Sequence, residues 1–340
     1  MSPSKLKGSF LEYIVRRLLL NCGFTTVRPD GLLIFRRSGL TMLNGKGAAH
    51  DADVLVDPPV QMPFSYPFRL NFECKAYNKK TDLSVIRNAL GLRYDINEFE
   101  IVTRDQLVKR RNNRRSSLAI DNRQRFNYQV GVASVEDFSK PAFEFAANNK
   151  IPLLSLRWFL PGRICDKFHE INSSYLRGFN IDQMEGLREF LKGKTDRVGQ
   201  DFLENTESIF KEIYDEFLDF ENRVLVGLLE SGDLVFLIDH RNNAIDYLSG
   251  DRYSFSAQFH YERRDRSYWR LNVDNQVEFG FYLPENVIAM WRSQNFDKQA
   301  ALDIKAQMFS KVFVFNKTGD IPFRLIKIDR EWLNGMFDQA

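Results

Sequence analysis

The sequence has little of what usually marks a function. Of its 340 residues only three are cysteine and four histidine. Cys22, Cys74 and Cys165 are odd in number and far apart, which excludes a disulfide framework and a cysteine-rich zinc site. No two histidines stand at the spacing that would put both rings on one helix face. No apolar run approaches the length of a membrane span, about 18 uncharged residues or more, and the opening MSPSKLKGSF lacks a signal core. A cytoplasmic protein with no membrane partner is expected. Repeats and low-complexity tracts are absent too, so solenoid, collagen-like and disordered classes fall away.

What is present is a chain with 44% hydrophobic and 27% charged residues, enough for one large or two medium domains with real cores. The formal charge of +3 hides an asymmetry. Residues 1–170 hold 27 Lys+Arg against 17 Asp+Glu, whereas residues 171–340 hold 21 against 28. A basic half attracts polyanions by counterion release, and an acidic half implies different partners. The sharpest patch runs from Arg104 to Arg125 and includes Lys109, Arg110, Arg111, Arg114, Arg115 and Arg123. Eight cations so close together repel one another unless a polyanion or solvent screens them. Contact with a nucleic-acid backbone is therefore expected there, the alternative being a solvated loop or helix face.

Apolar residues at 10, 11, 14, 15, 18 and 19 form the stripe of an amphipathic helix, and Gly23 suits its left-handed stop. Extended stretches follow at 25–27, 32–35 and 52–56, with a glycine-rich turn at Gly45 and Gly47. Prolines 58, 59, 63 and 67 rule out regular structure before the alternating run Arg69–Tyr77, which reads as a strand. Residues 82–95 look helical, 130–135 a buried strand, 140–149 a helix and 151–156 a strand. A layered α/β sandwich is the natural architecture. Beyond Phe168 a polar helical stretch (184–221) leads to strands at 233–240, 255–261, 268–273, 277–282, 311–315 and 323–328. Helices are expected from Pro284 to Trp291 and over 298–309, and a turn at Thr318-Gly319-Asp320.

The strand period of two puts Leu70, Phe72, Cys74 and Ala76 on one face and Asn71, Glu73, Lys75 and Tyr77 on the other. The same rule turns Ala52, Val54 and Val56 inward and Asp51 and Asp53 outward. If the two strands pair, Asp53 and Glu73 stand side by side as oxygen donors. Such a pair suits Mg²⁺, which keeps several waters and binds through one or two carboxylates plus substrate phosphate. Lys75 can orient or help deprotonate an attacking water, or stabilise negative charge in the transition state. His50 can contact phosphate or serve as an ordinary turn histidine. A second acid-x-Lys triplet, Asp303-Ile304-Lys305, lies in a helical stretch and reads as a surface pair. Cys22 and Cys74 read as small core residues.

Four segments resemble the Mrr-like restriction endonucleases of the PD-(D/E)xK nuclease superfamily. They are Gly8-Ser9-Phe10-Leu11-Glu12 with Leu18, Leu19, Gly23 and Phe24; Asp53-Val54-Leu55-Val56; Phe72-Glu73-Cys74-Lys75-Ala76-Tyr77; and Val132-Ala133-Ser134 through Ile151-Pro152-Leu153. Together they span about residues 5–156. The lead-in His50-Asp51-Ala52-Asp53 departs from the family's usual glycines, and phase with Val54 favours Asp53 over Asp51. The resemblance implies a restriction-endonuclease-like αβ sandwich with a mixed central sheet over residues 1–165, followed by an α+β accessory domain over 166–340. It implies that Asp53 and Glu73 bind Mg²⁺, with Mn²⁺ as a substitute, that the Cys74 carbonyl adds a ligand, that Lys75 assists the water and that Glu12 supports the site. The expected activity is DNA endonuclease, in prokaryotic restriction or anti-phage defence. The alternatives are a structure-selective repair or recombination nuclease and a silent nucleic-acid-binding scaffold. The second half is expected to sense the target, dimerise or bind a partner protein. Its aromatic strand residues Phe255, Phe259, Tyr261, Tyr268 and Trp269 belong by default to a core, and otherwise stack bases.

Overall fold

The computed structural model describes residues 2–338 apart from 32, 38, 62–64, 99–124, 195–196, 263 and 318–321. Helix α1 (Pro3–Asn21) starts at Ser2, whose side chain accepts from the Lys5 N–H, and stops where Gly23 adopts a φ of 88°. Its buried face, with Phe10, Leu11, Ile14, Val15 and Leu18, lies on one side of a five-stranded mixed sheet.

That sheet comprises β1 (Thr25–Thr26), β5 (Val54–Asp57), β6 (Phe68–Lys75), β7 (Asn127–Ser134) and β8 (Leu153–Ser155), in that order. The β1–β5 and β5–β6 pairs are antiparallel, while β6–β7 and β7–β8 are parallel. Parallel neighbours need crossovers. They bracket α2 (Leu83–Asn97) and α3 (Lys140–Asn148), whose Val85, Ile86, Ala89, Ala142 and Ala146 pack on Val130 and Val132 of β7. The sheet is thus covered on both faces. This is why Asn71, expected outward beside Glu73, is instead 1% exposed.

The expected strand over 52–56 begins at Val54, and Asp51, read in phase with it, belongs to another strand. Asp51 closes β4 (Ala49–Asp51), which pairs with β3 (Leu40–Asn44), and that strand pairs with β2 (Ile34–Arg37) in a separate three-stranded sheet. Asp53 sits where the chain leaves this sheet for the central one.

Beyond β8, α4 (Gly162–Glu170), α5 (Ser173–Leu176), α6 (Ile181–Leu191), α7 (Arg197–Asn205) and α8 (Ile209–Phe220) lead to a closed seven-stranded barrel. Its strands are β9 (Val224–Leu229), β10 (Leu234–Asp239), β11 (Ser254–Tyr261), β12 (Tyr268–Val273), β13 (Val277–Tyr282), β14 (Lys311–Phe315) and β15 (Phe323–Ile328). The β11–β15 pair is parallel. Phe255, Phe259 and Trp269 are buried in its core, with the Trp269 ring stacked on Phe309 at 5.6 Å. Tyr261 and Tyr268 pack edge-on against Trp291 and Tyr282. The expected turn at 318–320 lies outside the described residues. One buried cluster runs without a break from Phe10 to the barrel, and Arg17 of α1 makes a bidentate pair with Glu221 at 2.9 and 2.7 Å.

Lys305 corrects an expectation. Its helix, α11 (Lys298–Met308 in a count where α9 is Ala244–Leu248 and α10 is Glu285–Ser293), turns this side chain inward to 3% exposure, over the rings of Trp332, Trp269 and Tyr261. It is no surface partner of Asp303. Among the described residues, no helix is long and apolar enough to cross a membrane.

Candidate functional site

The register of β5 on β6 sets Val54 opposite Phe72, so one step outward Asp53 faces Glu73. The Cys74 N–H donates to Asp53 Oδ2 at 2.8 Å, which fixes the aspartate against the end of β6. Lys75 Nζ donates to Glu73 Oε2 at 3.1 Å. Behind them β7 supports this strand end: Ser134 Oγ donates to the Lys75 carbonyl at 3.4 Å and exchanges a 2.8 Å hydrogen bond with Thr81 Oγ1. Glu12 approaches from α1, with Oε1 lying over Gly8, where a Cβ would stand 3.8 Å away.

These groups share one electrostatic environment. Burial, then Glu12, then Glu73 push the Asp53 carboxyl well above the usual aspartate range, against the Cys74 N–H and Lys75. Burial also raises Glu12, with Asp51 adding to it and Lys192, Arg16 and Arg188 opposing. Asp51 is raised for the same first reason. Burial works against the Lys75 ammonium, but Glu73 and Asp53 outweigh it, and its pKa lies above the ordinary lysine value.

The residues expected to act together are therefore neighbours, with Asp53 rather than Asp51 facing Glu73. The Cys74 backbone enters through its N–H, and its thiol is buried, as are those of Cys22 and Cys165. His50 is paired with Asp95, Nε2 to Oδ2 at 2.6 Å. Of the basic patch, Lys109, Arg110, Arg111, Arg114, Arg115 and Arg123 lie outside the described residues. Arg125 donates to the Asn97 carbonyl at 3.3 Å and lies 5.4 Å from the Tyr66 ring.

A second cluster was not foreseen. Glu136, Asp166 and His169 bring three potential metal-ligand atoms within 4.8 Å of one another, the one such trio among the described residues. Its sequence signal is weak: an Asp and a His one helical turn apart on α4, with the glutamate contributed from elsewhere. Arg157 already occupies it, donating to both Glu136 oxygens and to Asp166, each at 2.6 Å. Also missed were Arg16, one turn along α1, and Arg188 and Lys192 from the other half, whose charges reach Glu12.

No family model matches the sequence, and neither does any curated protein. Among solved structures, a crystal structure titled "Protein of Unknown Function AF1548" aligns at 16% identity and a TM-score of 0.33, covering 62% of this chain and 95% of that one. That likeness assigns neither a fold nor a chemistry to this chain.

Proposed function

We propose that this chain is a Mg²⁺-dependent endonuclease that hydrolyses phosphodiester bonds in DNA. Its first half would be a restriction-endonuclease-like sandwich of Mrr type, acting in restriction or anti-phage defence. The observation that carries the reading is the placement of Asp53 opposite Glu73, with Lys75 bonded to Glu73 and Glu12 facing both from α1. A helix, an antiparallel pair and two parallel crossovers supply the layers such a site needs.

The donor set fits a hard divalent cation. Asp53 and Glu73 offer carboxylate oxygens, and Asp53 is buried among acids with too little positive charge around it. The trio of Glu12, Asp53 and Glu73 is not drawn within 4.8 Å, so it is no closed cage; an ion held by two carboxylates retains positions for water and phosphate. When bound, the ion supplies Lewis acidity at the phosphate and to the attacking water. Lys75, kept protonated by Glu73 and Asp53, contributes positive charge where negative charge grows on the phosphoryl oxygens. Glu12 adds to the negative field that selects a cation.

The test is cleavage of supercoiled plasmid, linear duplex and single strands with Mg²⁺, Mn²⁺ or EDTA. Metal-dependent cutting lost in Asp53→Ala and in Lys75→Ala supports the reading. Nicked against linear product separates one-strand from two-strand cutting and bears on whether a homodimer is needed. Absence of cutting in every condition would sink it.

A further inference from the structure

We propose that Lys192, with Arg188 behind it, binds a substrate phosphate at this same site, so that the second half of the chain completes the recognition of the nucleic-acid backbone. The proposal rests on the nuclease reading above and adds to it a residue that none of the motifs contains.

Lys192 caps the C-terminus of α6, its N–H bonded to the Arg188 and Phe190 carbonyls. This helix end is docked on α1 one turn beyond Glu12: Arg16 donates through Nη2 to the Leu191 carbonyl. Gly193 then takes a φ of 79° and passes beneath the same guanidinium, where a Cβ would stand 3.4 Å from Arg16 Cζ. A left-handed residue without a side chain is what this close crossing requires. The next residue, Lys194, pairs with Glu189, and its Nζ approaches Gly39 in the turn between β2 and β3. The helix end is thus bonded to the element carrying Glu12 and lies beside the sheet carrying Asp51.

The cations at this helix end divide by partner. Lys194 is neutralised by Glu189. Lys192 and Arg188 make no ion pair with a described residue. Lys192 follows Leu191, whose carbonyl is bonded to Arg16 one helical turn beyond Glu12, and its charge reaches Glu12. Burial and Arg188 lower its own pKa, while Glu12 and Asp51 pull it upward. A part-buried ammonium thus stands at the helix end docked beside Glu12 and is paired with none of the carboxylates. A phosphodiester fits between two such walls, because its two non-bridging oxygens need positive charge on both sides. One side belongs to a cation on Asp53 and Glu73, and the other to Lys192. An ammonium acts as a compact point charge in that role.

A bystander that only screens Glu12 and Asp51 would shift their titration without contacting substrate. The two cases separate on the salt dependence of binding. The full chain is titrated with a short fluorescein-labelled duplex, Ca²⁺ replacing Mg²⁺, over a range of KCl concentrations, while cleavage kinetics are followed in Mg²⁺. Wild type is compared with Lys192→Ala, Lys192→Gln and Lys192→Arg, each checked by thermal melting, so that one misfolded variant leaves the others to decide. The expected result is a salt slope about one unit shallower in the Ala and Gln variants, a raised KM, and recovery of both in Lys192→Arg. A wild type that cuts DNA, with slope and KM unchanged in folded variants, overturns the role of Lys192 and spares the nuclease reading. Binding that depends on Lys192 with no cutting in any metal overturns the nuclease reading alone. A wild type that neither binds nor cuts overturns both.

Discussion

Around Glu136, two carboxylates share one guanidinium: Arg157 donates to both oxygens of Glu136 and to Asp166, and His169 lies 2.9 Å from Glu136. Around Asp53, two further acids, Glu12 and Glu73, crowd into a space whose one direct cation, Lys75, is bonded to Glu73. Both regions are acidic and both join distant parts of the chain. They differ in charge balance. In the first, Arg157 neutralises both carboxylates, and its hydrogen bonds join the segment after β7 to α4. The second leaves Asp53 held by a single backbone N–H and pushed toward its neutral form, an arrangement that costs stability. Geometric convergence alone would have selected the first region as the metal site. Counting the positive charge already present favours the second as the proposed metal site.

The largest effects should fall on activity at one region and spare it at the other. Asp53→Ala and Lys75→Ala are expected to reduce plasmid cleavage by about 10²–10⁴-fold. Glu136→Gln should leave the rate unchanged. An equal loss in Glu136→Gln would break the comparison and return the Glu136 cluster to candidacy. Stability should show the reverse pattern. Glu136→Ala strands Arg157 and His169 and is expected to cost about 2–3 kcal/mol in urea unfolding.

Some of this was legible in the residues and some was not, for physical reasons. Tyr268–Val273 and Val277–Tyr282 are strands at the expected bounds because their alternation is local. Closure of the barrel is not legible, since it depends on β9 with β14 and on β11 with β15, pairings between distant segments. Glu73 and Lys75 follow from a period of two on one strand. The split between Asp51 and Asp53 does not, because it arises where the chain changes sheets. Nor do Arg188 and Lys192, which the fold brings to Glu12 from the other half.

The two acid-x-Lys triplets make the same point with a measurable consequence. On a strand, Glu73 and Lys75 meet. On a helix, Asp303 and Lys305 point apart, and Lys305 is buried over Trp332 with its pKa brought down to about 8 by burial. Between that value and the ordinary one of 10.5, the unfolded chain holds a proton that the folded one has lost. Stability attributable to Lys305 therefore rises with pH across this window. Lys305→Met should remove a rise on the order of 1–2 kcal/mol, read as the difference between wild-type and variant denaturation from pH 7.5 to 10. A rise that persists in the variant would place its origin elsewhere.

The smallest expected effect is the one that most directly tests charge balance at Asp53. In EDTA, Asp53→Asn keeps an oxygen for the Cys74 N–H but removes one of the crowded charges, so the variant should be more stable than wild type by about 1 kcal/mol near neutral pH. The sign with pH follows from the raised carboxyl. The folded chain holds a proton on Asp53 that the unfolded chain gives up in the ordinary aspartate range, so this contribution is full in acid and lost as pH rises through the folded value. Metal-free wild type should thus lose stability relative to Asp53→Asn as pH is raised, and saturating Mg²⁺ should reverse the order, because an ion bound only to the folded wild type adds stability by mass action. Melting curves of both proteins, with EDTA and with Mg²⁺, measure all of this in one series. A wild type that is the more stable protein in EDTA would mean that Asp53 is satisfied by its surroundings as fully as Glu136 is, and the contrast between the two clusters would be gone.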